Sequence, residues 1–332
     1  MFELNKLLSF GKTKFLQNQK VVLATIVATE GSTYRKRGTQ MIISEDLAFE
    51  GAISGGCVEK EVIRQATLLF NGGPNMTFEY DGRYKLGCNG KLYILLELVD
   101  RQTFSRLIDT AKKYEKTRKG FYLGIYSNAD IWKSYYRFEN EVIDSGNTIT
   151  QQDDLSKAIE IDIHPQNQII IIGGEYDAIL LAKFSSQAGF KTSLIGKDIH
   201  PSNYSFSIMN LEPGELIEKV LIDQNSAVVI MTHSYSRDLH FLKYVTKNKP
   251  GYLGILGPAD RRDRLISELM EIEDFELLNL PDQIYAPIGL DIGASLPEEI
   301  SLAILSEIIS VFRNGNGKHL KDRHGSIHLE NT

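Results

Sequence analysis

The stretch "SGGCVE", Ser54 to Glu59, sets a cysteine directly after two glycines, where an apolar helical period begins. Paired glycines let a ligand reach the main chain, and the free N–H groups of a helix start favour an anion. The same field favours a thiolate. Cys57 is therefore a candidate nucleophile or soft-metal ligand, with Ser54, Gly55, Gly56 and Val58 forming the turn around it. In "VVIMTHSYSRD" a β-branched run ends on Thr232 and His233, and from a strand end His233 can relay a proton or hold a polar group. Near the N-terminus "EGSTYRKRGTQ" carries Arg35, Lys36 and Arg37 in a glycine-bounded loop, where an arginine fork suits phosphate.

Each of these has a plainer alternative. A lone cysteine is often a small buried residue, a loop histidine often makes a single hydrogen bond, and loop charges often serve solubility. Cys88 in "LGCNGK" either faces Cys57 or only completes a glycine turn, and Asp291 in "YAPIGLDIGAS" either binds a ligand or orders its loop. His319, His324 and His328 lie in a terminal stretch without apolar period, where no native metal is expected.

Two kinds of chain position these residues. From Val21 to Ile143 the pattern is strand-rich with two helices, an α+β domain placed at 1–144. In it "VVLATIVATE" is a buried strand, "TQMIISEDLAFEGAISG" a hairpin turning near Glu45 and Asp46, and Val58, Val62, Ala66 and Leu69 one face of a helix that "NGG" ends. Residues 145–167 are polar and read as the crossing between domains. Over 168–312 strands such as "QIIIIGG", "KTSLIG", "AVVIMT" and "YLGILG" alternate with helical or turn segments, which predicts a doubly wound parallel sheet; 313–332 reads as a tail. The last helix has its start in "SLPEE", with Ser295 as cap, Pro297 in the first turn and Glu298 completing a capping box.

This second domain opens as dinucleotide folds do and then departs from them. In "GGEYDA" Gly173 and Gly174 are present, but Glu175 replaces the glycine that admits a pyrophosphate, and Gly196 stands where an acidic ribose ligand belongs, with Asp198 two residues on. These departures argue against NAD(P), although an NAD(P)-dependent oxidoreductase is the main alternative reading; a third is a docking protein whose ligand site has decayed.

Composition narrows the class. The length of 332 residues suits about two domains. A net charge of −6 and a pI near 5.7 argue against a nucleic-acid partner. Two cysteines are too few for a disulfide framework, and no apolar run spans a bilayer. The first residues lack an export signal, so the cytoplasm is the expected compartment and no membrane partner is expected.

Taken in order, "EGSTYRKRG", "GAISGGCVEKEV", "IIIIGGEYDAILLAKFSSQAGF", "VVIMTHSYSRDLHFL", "YLGILG" and "PIGLDIGASLPEEISLAIL" resemble the XdhC/CoxI family, accessory proteins of molybdenum hydroxylases such as xanthine dehydrogenase and carbon monoxide dehydrogenase. The resemblance implies a small N-terminal domain followed by a Rossmann-like domain. It implies a cofactor-insertion chaperone rather than an enzyme, which binds molybdenum cofactor (molybdopterin) transiently and delivers it, sulfurated, to an apo-hydroxylase. A cysteine desulfurase as further partner and a homodimer belong to the same expectation. Carried over by residue, the family's glycine-cysteine turn falls on Gly55, Gly56 and Cys57, its loop arginine on Arg35, its strand-end pair on Thr232 and His233, and its glycine turn on Gly173 and Gly174. Asp177 matches a residue common in that turn, whereas Glu175 and Tyr176 depart from it. The resulting expectation puts Cys57 beside the molybdenum or its sulfur ligand, with the Gly55–Val58 amides and Arg35 around the cofactor phosphate.

Overall fold

The computed structural model describes residues 1–332 apart from 32, 83–89, 129–130, 145, 147, 198, 200–203, 272–283 and 323–332, and apart from the side chains of Cys57 and Ile217. Cys88, Asp198, His324 and His328 lie outside the described residues. The chain divides into two units, Met1–Pro165 and Gln166–Thr332.

The first unit is α+β. Strands β1 (Val21–Gly31), β2 (Gln40–Ser44), β3 (Phe49–Gly51), β4 (Met76–Asp81) and β5 (Gly90–Leu98) form an antiparallel sheet of order β3-β2-β1-β5-β4. The β2–β3 hairpin turns at Glu45–Asp46, as the sequence predicts. Side chains alternate across β1: Val22, Ala24 and Ile26 face helix α2 (Cys57–Phe70), which answers with Val58, Val62, Ala66 and Leu69. Val21 and Leu23 join the core built with α1 (Phe2–Leu16) and α3 (Arg101–Thr117).

A second antiparallel sheet consists of β6 (Phe121–Asn128), β7 (Ile131–Arg137), β8 (Val142–Ile143) and β9 (Ile159–Ile163) in the order β8-β7-β6-β9. Strand β9 comes from the polar stretch read as the crossing. Its Ile159, Ile161 and Ile163 pair with Ile125, Leu123 and Phe121 of β6, so the sheet edge supplies the order that composition hides. Between the sheets Glu97 is buried and takes hydrogen bonds from the Ser134 hydroxyl and amide, at 2.5 and 3.3 Å. Burial and the nearby Asp144 charge push its carboxyl up to about 8.

The second unit is a six-stranded parallel sheet of order β12-β11-β10-β13-β14-β15. Its strands are β10 (Gln168–Ile172), β11 (Lys191–Ile195), β12 (Ser207–Met209), β13 (Ser226–Ile230), β14 (Tyr252–Ile255) and β15 (Ile284–Tyr285). Because β10 and β13 are buried on both faces, their β-branched runs show no polar alternation. Ile169, Ile171, Ala227 and Val229 meet α4 (Tyr176–Gln187) and α8 (Pro297–Phe312); Ile170, Ile172, Val228 and Ile230 meet α5 (Pro213–Lys219), α6 (Tyr235–Val245) and α7 (Ala259–Glu271). Helices thus cover both faces, and the strand order reverses between β10 and β13. Ligands of open α/β sheets bind at such a reversal, outside the carboxyl ends of the strands.

The start of α8 corrects one expectation. Leu296 is the cap position and Pro297 begins the helix, but Glu299, not Glu298, reaches back to the amides of Leu296 and Ser295, at 3.0 and 2.9 Å. The N3 position is counted from Leu296, which shifts the acceptor by one residue.

Candidate functional site

At the reversal, β10 runs into the Gly173-Gly174 turn and α4, while β13 runs through Met231 into Thr232 and His233 before α6. The glycines are fixed by crowding. A Cβ on Gly173 would lie 2.5 Å from the Met231 carbonyl oxygen, and one on Gly196 would lie 2.7 Å from the Gly173 carbonyl oxygen. Gly196 therefore stands where an acidic ribose ligand was expected because the next strand end packs on the glycine turn. Glu175, at the cap position of α4, is exposed and puts a negative charge at the helix start.

Asp177 and His233 meet across this turn. His233 Nε2 lies 2.9 Å from Asp177 Oδ2, while Asp177 Oδ1 accepts the Ala178 amide at 2.8 Å. With Nε2 donating to the carboxylate, Nδ1 presents the lone pair, so the half-exposed ring can accept a proton or hold a polar ligand. His233 has φ +55, a left-handed conformation that side chains other than glycine rarely take, and its neighbours enforce it. The Thr232 hydroxyl donates to Asp238 Oδ1 at 2.5 Å and accepts the Ser234 amide at 3.2 Å, and the Thr232 amide also reaches Asp238 Oδ1. Asp238, 1% exposed, is neutralised by Arg261, whose Nη2 lies 2.6 Å from Oδ2. Gly257 leaves room for that arginine, since a Cβ there would sit 2.7 Å from Arg261 Cδ.

In the first unit Gly55 and Gly56 precede α2, and a Cβ on either would meet nothing within 4 Å; Gly56 has φ +124. The main chain is open here. The turn is also held from within. Glu59, buried in the first turn of α2, accepts the Ile53 amide at 3.0 Å, the Ser54 amide at 2.6 Å and the Ser54 hydroxyl at 2.6 Å. Burial alone would raise the Glu59 carboxyl, but the Ser54 hydroxyl and the amides of Ser54 and Ile53 outweigh it and hold the group below its usual value. The Ser54 oxygen in turn accepts the amides of Gly56 and Val58, at 3.1 and 3.3 Å. Two of the amides expected to surround a phosphate are therefore engaged by the chain itself. Arg35 pairs with Glu3 at 3.2 Å, and its buried Nε has no partner. Among the described residues no hydrogen bond joins Arg35 to the Ser54–Val58 turn.

The chain matches two family models, one described as the XdhC and CoxI family over residues 16–81 and one as the XdhC Rossmann domain over residues 169–308. The matched stretches contain the glycine-cysteine turn and the Asp177–His233 pair, in the order the sequence motifs gave. The chain belongs to the XdhC and CoxI family.

Two curated relatives span nearly the whole chain. It is 28% identical to a Bacillus subtilis protein named as a probable xanthine dehydrogenase subunit, over 88% of this chain and 93% of that protein. It is 23% identical to the Escherichia coli molybdenum cofactor insertion chaperone PaoD, over 92% of this chain and 87% of that protein. Among solved structures, a Bacillus halodurans protein described as a xanthine dehydrogenase superposes with a TM-score of 0.74 at 26% identity, covering 92% of this chain and 96% of its own.

Of the residues singled out in this XdhC-type chain, the structure brings together Gly173, Gly174, Asp177, Thr232 and His233 in one unit, and Ser54, Gly55, Gly56, Val58 and the backbone of Cys57 in the other. Asp291 is exposed beyond β15, two strands from β13 in the sheet order, and no hydrogen bond joins it to the Asp177–His233 pair. His319 is exposed in the described part of the tail. Among the described residues no three His, Cys, Asp or Glu side chains are gathered as a metal ion would need, and no helix is long and apolar enough to cross a membrane. Sequence reasoning missed Glu59, Asp238 and Arg261. The signal for the two acids was in the quoted motifs, a hydroxyl residue at the end of a turn or strand followed by an acid in the first helical turn; nothing local marked Arg261.

Proposed function

We propose that this protein binds molybdenum cofactor as cargo and delivers it to an apo-hydroxylase of the xanthine dehydrogenase type. Family membership supports the coarse reading, and one relative is named for that role. The observation that carries the site is the open Gly55-Gly56 main chain at the head of α2, where nothing lies within 4 Å of either Cβ position. Such a surface admits a flat pterin face or a dithiolene sulfur. Cys57, first residue of α2, is placed by the proposal next to the molybdenum or its sulfur ligand. Since Ser54 already engages the Gly56 and Val58 amides, the cofactor phosphate is assigned to the partly exposed guanidinium of Arg35 rather than to those two groups.

In the second unit, Asp177 orients His233 so that Nδ1 can accept a hydrogen bond from a polar ligand group or take a proton. Sulfuration of the cargo, with a cysteine desulfurase as sulfur source, is the finer part of the proposal. The test is to purify the full chain from a molybdenum-replete host and measure bound molybdenum, oxidised-pterin fluorescence and activation of an apo-hydroxylase. C57S and H233A should keep the thermal melt and reduce cofactor retention by about tenfold. Retention and activation unchanged in both variants would remove these residues from the site.

A further inference from the structure

Two buried carboxyls of the first unit, Glu97 and Asp144, take no part in the proposed function. Glu97 stands on β5 opposite Leu23 of β1 and reaches Ser134 of β7. Asp144 follows β8 and gathers the first residues of the crossing into a turn: Oδ1 accepts the Gly146 amide at 3.0 Å, and Oδ2 accepts the Ile149 amide at 2.5 Å and the Thr148 amide. That turn lies directly on Glu97. A Cβ on Gly146 would come within 3.2 Å of Glu97 Cβ and 3.4 Å of Glu97 Oε1.

The other groups around this contact are neutral. Asn75 Nδ2 lies 3.4 Å from the same Gly146 position, and its Oδ1 accepts the Leu98 amide. On β7, Ser134 donates to Glu97, while Tyr136 donates to Gln40 of β2 at 2.8 Å; burial holds the Tyr136 hydroxyl above its usual range, so it keeps its proton. Among the described residues no lysine, arginine or histidine bonds to either carboxyl. A second negative charge beside Asp144 therefore has no counter-ion, and two carboxylates out of water repel strongly.

From this contact we infer that Glu97 and Asp144 form a pH-sensitive latch, which holds the Asp144 turn on the sheets while Glu97 carries its proton and releases it when that proton passes to solvent. The closed turn has a cost of its own, since Thr148 Oγ1 is buried without a partner among the described residues, and opening removes that cost. The far end of the segment stays pinned. Lys133 of β7 pairs with Asp153 at 2.7 Å, with side chains 16% and 7% exposed, so release is confined to the residues around Asp144. The segment so controlled leads through β9 into the second unit. The sign follows from Glu97, whose carboxyl is pushed from 4.5 up to about 8 by burial and by the facing Asp144 charge. The closed form binds the proton more tightly than the open one, so closure weakens as pH rises towards about 8 and changes no further beyond it.

Hydrogen exchange on the full chain, read at the Gly146, Thr148 and Ile149 amides and divided by the intrinsic rate at each pH, tests the latch. Protection should fall by about tenfold per pH unit from about pH 6 to the midpoint and then level off. E97Q keeps the shape of the side chain and cannot ionise, so its protection should be flat across this range. Trp132, the chain's one tryptophan, lies two residues before Ser134 on β7 and should report the same midpoint by fluorescence. In D144N, which removes the facing charge, that midpoint should move to lower pH. Protection independent of pH in the unmodified chain, a slope that survives in E97Q, or a midpoint unmoved in D144N would overturn the latch. So would an equal slope at the Ala24 and Ile26 amides of β1, because the whole unit would then be opening.

Discussion

The two units fix their functional turns with the same device and differ in how they neutralise it. In each, a hydroxyl residue ahead of a helix bonds to an acid in that helix's first turn: Ser54 to Glu59 in one unit, Thr232 to Asp238 in the other. The hydroxyl oxygen then collects further amides, those of Gly56 and Val58 in the first case and Ser234 in the second. Glu59 rests on two amides and a hydroxyl at a helix start and has no cation among its bonds, whereas Asp238 takes Arg261 as well. Three short donors and the end of a helix dipole suffice for a carboxylate beside an open turn; one sealed under a strand end uses a full positive charge. In both turns the chain's own hydrogen bonds hold the backbone.

Removing the acid that depends on a cation should do the most damage. D238A strands Arg261 and frees the Thr232 turn, and chemical denaturation should show a loss of about 3–5 kcal/mol. The glycines sharpen the contrast next. G173A drives a methyl group to 2.5 Å from the Met231 carbonyl oxygen and should cost about 1–3 kcal/mol, while G55A enters open space and should stay within about 0.5 kcal/mol; equal melts for the two would erase the distinction between a packed and an open turn.

E59Q probes the acid that manages without a cation. Its folded carboxyl titrates below the usual 4.5, so the stability it confers is present above 4.5 and is lost as pH falls through the lowered folded value. At neutral pH the substitution should cost about 1–3 kcal/mol, and the acid limb of its stability profile should flatten. A further contrast concerns His233. Because its φ is +55, H233G should be more stable than H233A by about 1 kcal/mol, by thermal melting, with cofactor retention reduced about tenfold in both.

Much of this was legible in the sequence. The β-branched runs named strands β10 and β13, the strand-helix alternation named β14, the three- and four-residue period named α2, and the glycine turns marked both places where the main chain behaves specially. The crossing was harder to read, because β9 is an edge strand whose alternating acids face outward and dilute its isoleucines. The cap of α8 slipped by one residue, because two adjacent glutamates offer the same signature and backbone geometry selects between them.

Glycine itself was ambiguous. The pair before Cys57 and the pair before Glu175 look alike as letters, yet one faces open space and the other is pressed against neighbouring carbonyls. Local sequence determined the strands, the helices and the residue types at their junctions, because period and turn chemistry act over a few residues. Only the tertiary structure decided that Asp177 meets His233 and that Arg261 lies against Asp238, for these partners are brought together by parallel strands whose order along the sheet differs from their order along the chain.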